Sequence, residues 1–319
     1  MLWAYFETGS KNHQSRFVST TFRGKKMLTN LFADWTKPAV HPDRPLRIVF
    51  LTSVRDTGAC DCNGLNVYMP DGIRYMEGAI QRTVLAARPG GMLHGLIEVV
   101  LVITDDHPKD KLRAYPCAPQ AGRPWLHPHD LRLANGQRVT ERTINQPSSF
   151  RKLPKTDRVG RKRAKLEFER SVLTLFQEVH GDVLVSDHYM AQIDHLITAE
   201  FGLMGRVINI HPAITVRESP HCLRGPTPTT DALVRARDGV HTVTGATLHF
   251  VNEVIDDGGA IAMTEGTPVY ASDKPQWLRS RNYRLAKLPL FVSGLRHYVI
   301  RLYPHLDNLD LTQFTPRVL

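Results

Sequence analysis

A short apolar run, Val207, Ile208 and Ile210, stops at His211-Pro212. Such a run reads as a buried strand, and proline ends it because it cannot donate to a central ladder. Asn209 lies inside the run, two positions before His211. Side chains two apart on a strand share a face, so this strand delivers an Asn and a His together at its C-terminal end. In open α/β sheets, ligands bind outside that end of the strands. Taken alone, the pair is also readable as a strand-end His beside a turn Asn.

The rest of the chain supplies partners for such a strand. Residues 46–52, 96–103 and 182–186 are apolar runs of strand length. Between the last two, residues 161–180 carry Phe168, Val172, Leu175, Phe176 and Val179 as an apolar stripe opposite a basic face, the pattern of a helix packed on one side. Asp71 is placed to cap a helix running through Ile73, Met76, Ile80, Val84 and Leu85. A short helix is expected over 193–201, and Pro228 opens another over 229–237. Strands alternating with helices predict an α/β fold with a Rossmann-like, mostly parallel sheet. Residues 46–270 form the expected catalytic domain, with an insertion at about 105–160 that is either a flap or a pair of short strands. Residues 1–45 precede it as an extension, disordered or ahead of a start at Met27. Residues 271–319 follow as a helical segment whose apolar face completes the core or forms a surface between copies in a homo-oligomer.

Composition narrows the function classes. No apolar run is long enough to span a membrane, and the apolar N-terminus is too brief for a secretory signal, so a cytoplasmic protein is expected. The formal charge is +10, and a basic nucleic-acid-binding protein is one alternative. The positive residues gather at 151–170 and 274–301 without interleaved aromatic platforms, the pattern of solvated helix faces. Cys60-x-Cys62 has no second pair, and His127-Pro128-His129-Asp130 and Asp105-Asp106-His107 lack a further ligand. They read as loops and solvated strand exits, and no metal is expected.

A second stretch gives the Asn–His pair its chemistry. Residues 243–251 read as a strand, Val-Thr-Gly-Ala-Thr-Leu-His-Phe-Val, and an acidic loop through Asp256 to Gly258 follows. Together the two stretches resemble the formyltransferases that use 10-formyltetrahydrofolate, the family of glycinamide ribonucleotide transformylase. Its pattern is Asn-x-His-Pro on one strand, then Thr-Gly-x-Thr-x-His-Phe-Val and a loop Asp before Gly. The matching residues are Asn209, His211, Pro212, Thr244, Gly245, Thr247, His249, Phe250, Val251, Asp256 and Gly258. The resemblance is strong over about residues 182–270.

It implies 10-formyltetrahydrofolate as co-substrate, with Asn209, His211 and Asp256 catalytic and His249 as structural support. Formyl transfer to an amine passes through a tetrahedral oxyanion. One preorganised donor to such an oxygen is worth about 3 kcal/mol, and Asn209 can be that donor. His211 can add a second or shuttle the proton, and Asp256 can orient it. No nucleophilic side chain and no metal are required. Met190, Ala191, Gln192 and Ile193, with Val251, Asn252, Glu253, Val254 and Ile255, match segments that hold the folate largely through backbone groups. Ala191 stands where the purine enzymes commonly carry Arg.

The acceptor is read from the first loop, residues 53–64. It has no GxGxxG and lacks the Gly-Asn-Gly-Ser phosphate loop of the purine enzymes. Arg55, Asp56 and Asn63 could grip the charged ends of an amino acid. That loop, residues 71–79 and the insertion are similar to the hydroxyornithine transformylases of pyoverdine-type siderophore synthesis. This implies N5-hydroxyornithine as acceptor. Glycinamide ribonucleotide and water, the latter giving formyltetrahydrofolate hydrolysis, are the alternatives within the fold.

Overall fold

A computed structural model describes residues 44–53, 65–105, 127–128, 130–189, 191–240 and 242–302. Its strands are β1 (Leu46–Thr52), β2 (Leu65–Met69), β3 (Gly72–Met76), β4 (Ile97–Thr104), β5 (Thr143–Asn145), β6 (Val183–Asp187), β7 (Val207–His211), β8 (Val243–Phe250) and β9 (Ala260–Pro268). Its helices are α1 (Ala79–Ala86), α2 (Arg158–Glu178), α3 (Pro228–Arg237), α4 (Pro275–Asn282) and α5 (Leu288–Leu302).

Seven strands form one sheet in the order β5-β4-β1-β6-β7-β8-β9, and β2 pairs with β3 in a separate hairpin. The pairs from β5 to β7 are parallel, while β8 and β9 run antiparallel. The expected Rossmann-like, mostly parallel sheet is therefore present, with C-terminal helices after it. The chain leaves β1 toward β4 and leaves β6 toward β7, so the order reverses between β1 and β6. A crevice opens at the carboxyl ends of strands beside such a reversal.

β1 shows why the sheet is buried on both sides. Ile48 and Phe50 enter one apolar cluster, while Val49 and Leu51, alternating with them along the strand, enter another. The first cluster is closed by Ile80 and Val84 of α1 and by Phe291 and Leu295 of α5. The second is closed by Phe168, Val172 and Phe176 of α2. Parallel strands need both faces covered. α5 does this for β8 as well, since Leu248 lies in the same cluster as Phe291, Leu295 and Tyr298. The C-terminal helices thus complete the core.

α2 starts where Asp157 accepts the N–H of Gly160 at 2.8 Å, an N-cap bond. Between its buried Phe168 and Val172 lies Glu169, whose side chain is equally buried. The Glu169 carboxylate accepts the backbone N–H groups of Asp194 (3.1 Å), His195 (2.6 Å) and Leu196 (2.9 Å). It thereby fixes the chain that follows β6. The helix expected over 193–201 is instead a run of turns, in which the Thr198 N–H bonds the His195 carbonyl and the Leu203 N–H the Leu196 carbonyl.

Two further expectations need correction. Asp71 caps no helix. It sits in the β2–β3 turn beside Gly72, whose φ of +129° suits a tight hairpin reversal, and α1 begins only after Gly78. Asp105 is not a solvated strand exit but fully buried. Ser53 and Ser148 donate to its carboxylate, the latter at 3.0 Å, and Arg151 lies 3.2 Å away, which offsets the cost of burying the charge. Asp106 and His107 lie outside the described residues. Within the expected insertion, β5 extends the sheet edge beside β4.

Glu169→Ala should leave three N–H groups, the buried one of Leu196 among them, without their acceptor, a loss of about 3 kcal/mol. Urea unfolding should show it as a lower midpoint, and Glu169→Gln should lose less.

Candidate active site

β7 is flanked by a parallel neighbour and an antiparallel one, and the register puts Asn209 between Ser186 of β6 and His249 of β8. The His249 Nδ1 lies 2.8 Å from the Phe250 carbonyl and so must carry the proton. Its Nε2 is left to accept from the Asn209 amide at 3.1 Å. The Asn209 Nδ2 also lies 3.4 Å from Asp256 Oδ1. His249 thus fixes which way the Asn209 amide faces, the supporting role expected of it.

Asp256 arrives from the loop after β8. Its φ of +52° is left-handed, a conformation that Asp tolerates better than most residues. Gly258 permits it, since a Cβ there would stand 1.7 Å from the Phe250 carbonyl oxygen. The loop is braced by Asp257, which accepts from Arg217 (3.0 and 2.7 Å) and from Arg224. Asp256 Oδ2 accepts the N–H of Gly225 at 2.8 Å. It also lies 3.5 Å from His211 Nδ1. On the other side of that ring, Nε2 donates to the Leu223 carbonyl at 3.1 Å. Asn209, His211 and Asp256, 47 residues apart in sequence at the extremes, are therefore side by side.

Burial lowers the His211 pKa to about 4 against the opposing pull of Asp256. Burial alone would raise Asp256, but the rings of His249 and His211 and the Gly225 N–H outweigh it and hold the carboxyl at about 2. Near neutral pH the pair is a carboxylate beside a neutral imidazole. A proton arriving on His211 Nδ1 would be met at once by the Asp256 charge.

The site opens into a cleft of about 240 Å³. Ala191, Gln192, Ile193, Val251, Asn252, Val254 and Ile255 all line it. Glu253 does not, but its carbonyl accepts from the Gln192 amide at 2.5 Å and ties the two segments together. Met190, Arg55, Asp56 and Asn63 lie outside the described residues, as do Cys60, Cys62 and His129. Among the described residues no group of three or more His, Cys, Asp or Glu side chains could hold a metal ion, and no helix is long and apolar enough to cross a membrane.

One wall of the cleft was not legible in sequence. Lys287, 1% exposed, donates to Asp187 at 2.6 Å and to the Tyr283 hydroxyl at 3.1 Å. The Tyr283 oxygen lies 2.7 Å from His188 Nε2, and His188 itself has a φ of +61°. Burial lowers His188 to about 4, against the pull of Asp187. Tyr283 and Lys287 bound a single turn of π-helix between α4 and α5, a deviation common at functional sites. The sequence signal was a Lys and a Tyr four apart inside an apolar helical stretch, which reads equally well as a basic surface face.

The chain belongs to the formyl transferase family, whose model matches residues 94–290. Among solved structures it is similar to PvdF of pyoverdin biosynthesis, an N10-formyltetrahydrofolate-dependent formyltransferase. The identity is 27% with a TM-score of 0.68, over 80% of this chain and 99% of the other. It is also 28% identical over 147 residues to the phosphoribosylglycinamide formyltransferase of Haemophilus influenzae. That match takes in 46% of this chain and spans 64% of the relative's length.

The two depressed imidazoles set an acid limit on stability. In the unfolded chain both rings take protons near the usual 6.5, but in the folded protein only near 4. Stability is therefore full above about pH 6.5 and falls as pH drops toward 4. By pH 5 the loss should reach about 2 kcal/mol per ring, at about 1.4 kcal/mol per pH unit. Urea midpoints measured from pH 8 to pH 4 should show the decline, and His188→Gln should make it shallower.

Proposed function

We propose that this protein moves the formyl group of 10-formyltetrahydrofolate to an amine or hydroxylamine nitrogen, with N5-hydroxyornithine as the acceptor. The observation that carries the reading is the convergence of Asn209, His211 and Asp256 on the lining of one cleft. Residues 46–270 act as the catalytic unit, 271–319 as its helical complement and 1–45 as an extension. The protein works in the cytoplasm.

The folate lies between residues 190–193 and 251–256, where the Gln192–Glu253 bond already joins the two walls. The acceptor nitrogen attacks the formyl carbon directly, and the carbonyl oxygen becomes an oxyanion. Asn209 offers that oxygen an amide N–H, and His211, neutral near pH 7, shuttles the proton. The acceptor nitrogen must lose a proton and the departing folate nitrogen must gain one. Asp256, ionised throughout, stabilises the imidazolium whenever His211 carries that proton. A metal has no step to perform in this scheme.

The acceptor assignment is supported by the likeness to a pyoverdin enzyme over most of both chains. The first loop, with no Gly-Asn-Gly-Ser sequence, also favours it. Hydroxyornithine is chemically apt, because a hydroxylamine is largely unprotonated near neutral pH and attacks without a strong base. In the same loop, Arg55 and Asp56 offer a cation and an anion for its carboxylate and α-ammonium.

The full chain should be given 10-formyltetrahydrofolate with N5-hydroxyornithine, ornithine, glycinamide ribonucleotide or no acceptor, and products followed by mass. Formylated hydroxyornithine should form well ahead of formylated ornithine, and Arg55→Ala should raise KM more than it lowers kcat. A preference for glycinamide ribonucleotide would remove the siderophore assignment and leave formyl transfer standing. Formate release alone would make the protein a hydrolase.

His211→Ala and Asp256→Asn should each lower kcat about a hundredfold or more while the circular dichroism spectrum is kept. Near-normal turnover in either folded variant would sink the catalytic assignment.

A further inference from the structure

Formyl transfer through Asn209, His211 and Asp256 leaves one buried charged cluster at the cleft without a task. His188, Tyr283 and Lys287 line the cleft, whereas Asp187 does not. Lys287 thus borders the cleft, and the carboxylate that neutralises it lies behind, 2.6 Å away.

The donors of this lysine are not evenly served. An ammonium has three N–H groups and no acceptor. One goes to Asp187 and one to the Tyr283 oxygen at 3.1 Å. The third has only His188 Nε2 near it, at 3.5 Å. The His188 ring is neutral near pH 7, so this nitrogen carries a single lone pair. Tyr283, whose oxygen already accepts from Lys287, gives its own hydrogen to that lone pair at 2.7 Å. One lone pair cannot serve both donors well. The third N–H of a side chain that is 1% exposed is therefore the least satisfied donor of the wall, and a buried charged donor short of an acceptor is costly.

The topology puts this donor on the path of the acceptor. β6 lies between β1 and β7 in the sheet. The acceptor reading places the amino-acid end of hydroxyornithine at the loop after β1 and its nitrogen at Asn209 and His211 of β7. Neighbouring strands lie about 4.8 Å apart, so the short aliphatic chain joining those two ends passes over the end of β6. Asp187 is the last residue of β6, and Lys287 borders the cleft beside it. We propose that Lys287 selects a hydroxylamine acceptor by giving its third N–H to the hydroxyl oxygen on the attacking nitrogen. This rests on the hydroxyornithine reading above and deepens it. An N–O oxygen accepts that bond, while a plain amine places nothing there. Asp187 and Tyr283 hold the ammonium in position by taking its other two donors.

The test uses the two products, N5-formyl-N5-hydroxyornithine and N5-formylornithine, titrated into the full chain by calorimetry. Both are uncharged at N5 and differ only in the hydroxyl, so their affinities do not depend on how well each acceptor attacks. The hydroxylated product should bind about tenfold more tightly, the scale of one hydrogen bond from a charged donor. Lys287→Met combined with Asp187→Asn removes both charges together and should bring the ratio close to one, while binding of the donor analogue 10-formyl-5,8-dideazafolate shows that the cleft is intact. Lys287→Gln, which keeps an amide donor in the wall, should fall between the two. Equal affinities in the unaltered protein, or an undiminished ratio in variants that still bind the donor analogue, would overturn the role of Lys287 and leave the acceptor assignment standing. An unaltered protein that binds the donor analogue but neither product would remove the hydroxyornithine reading and this role with it.

Discussion

The site depends on one reversal of strand direction. β8 runs antiparallel to β7, whereas the pairs between β5 and β7 are all parallel. A parallel neighbour would require a crossover and would begin its next loop on the same side as the others. An antiparallel one brings its own C-terminal end against the start of β7, with Phe250 opposite Ile208. His249 therefore stands opposite Asn209, and the chain leaving Phe250 turns back toward Gly225 and His211. The contact of Gly258 with the Phe250 carbonyl closes that return. Two loops, 213–225 and 251–258, are then stitched by Arg217, Arg224 and Asp257. The stitching is what holds a carboxylate in a left-handed conformation beside a buried imidazole.

One buried ion pair stands at the cleft wall. Lys287 and Asp187 are almost fully enclosed, and burying such a pair gains little stability over a well-packed apolar pair of similar volume. Their contribution is positional. With Tyr283 and His188 they fix the wall across the cleft from Ala191–Ile193. Glu169 does comparable work from outside the cleft, holding the chain just beyond that segment by three N–H groups. Both devices use a charged side chain to fix backbone that forms no regular structure.

How much of this could be read in sequence follows from the range of the interactions. The β7 pair and the Asp256 loop were legible because each is a local pattern that ends in Pro or Gly for a steric reason. α2 was legible from its apolar stripe. The β2–β3 hairpin was not, because Ile73 and Met76 have helical spacing with respect to Ile80 and Val84, and only the turn at Gly72 decides between the two. Asp105 looked like a solvated acid because its partners, Ser53, Ser148 and Arg151, are distant in sequence. The Lys287 wall was hidden for the same reason, since its anion lies a hundred residues away.

The turn from Tyr283 to Lys287 has a consequence for the helix that follows. In it the N–H of Leu288 reaches back to the Tyr283 carbonyl, five residues rather than four, so the chain carries one residue more than a plain α-helix would need. Each residue advances an α-helix by about 100°. Without the extra residue, α5 would keep its axis but be rotated by roughly that angle. Phe291, Leu295 and Tyr298 would then swing off the sheet. The extra residue sets the phase of α5, so the turn that aims Lys287 at Asp187 also keeps that helix's apolar face on the core. Shortening this turn by one residue would disturb the cleft wall and the core together.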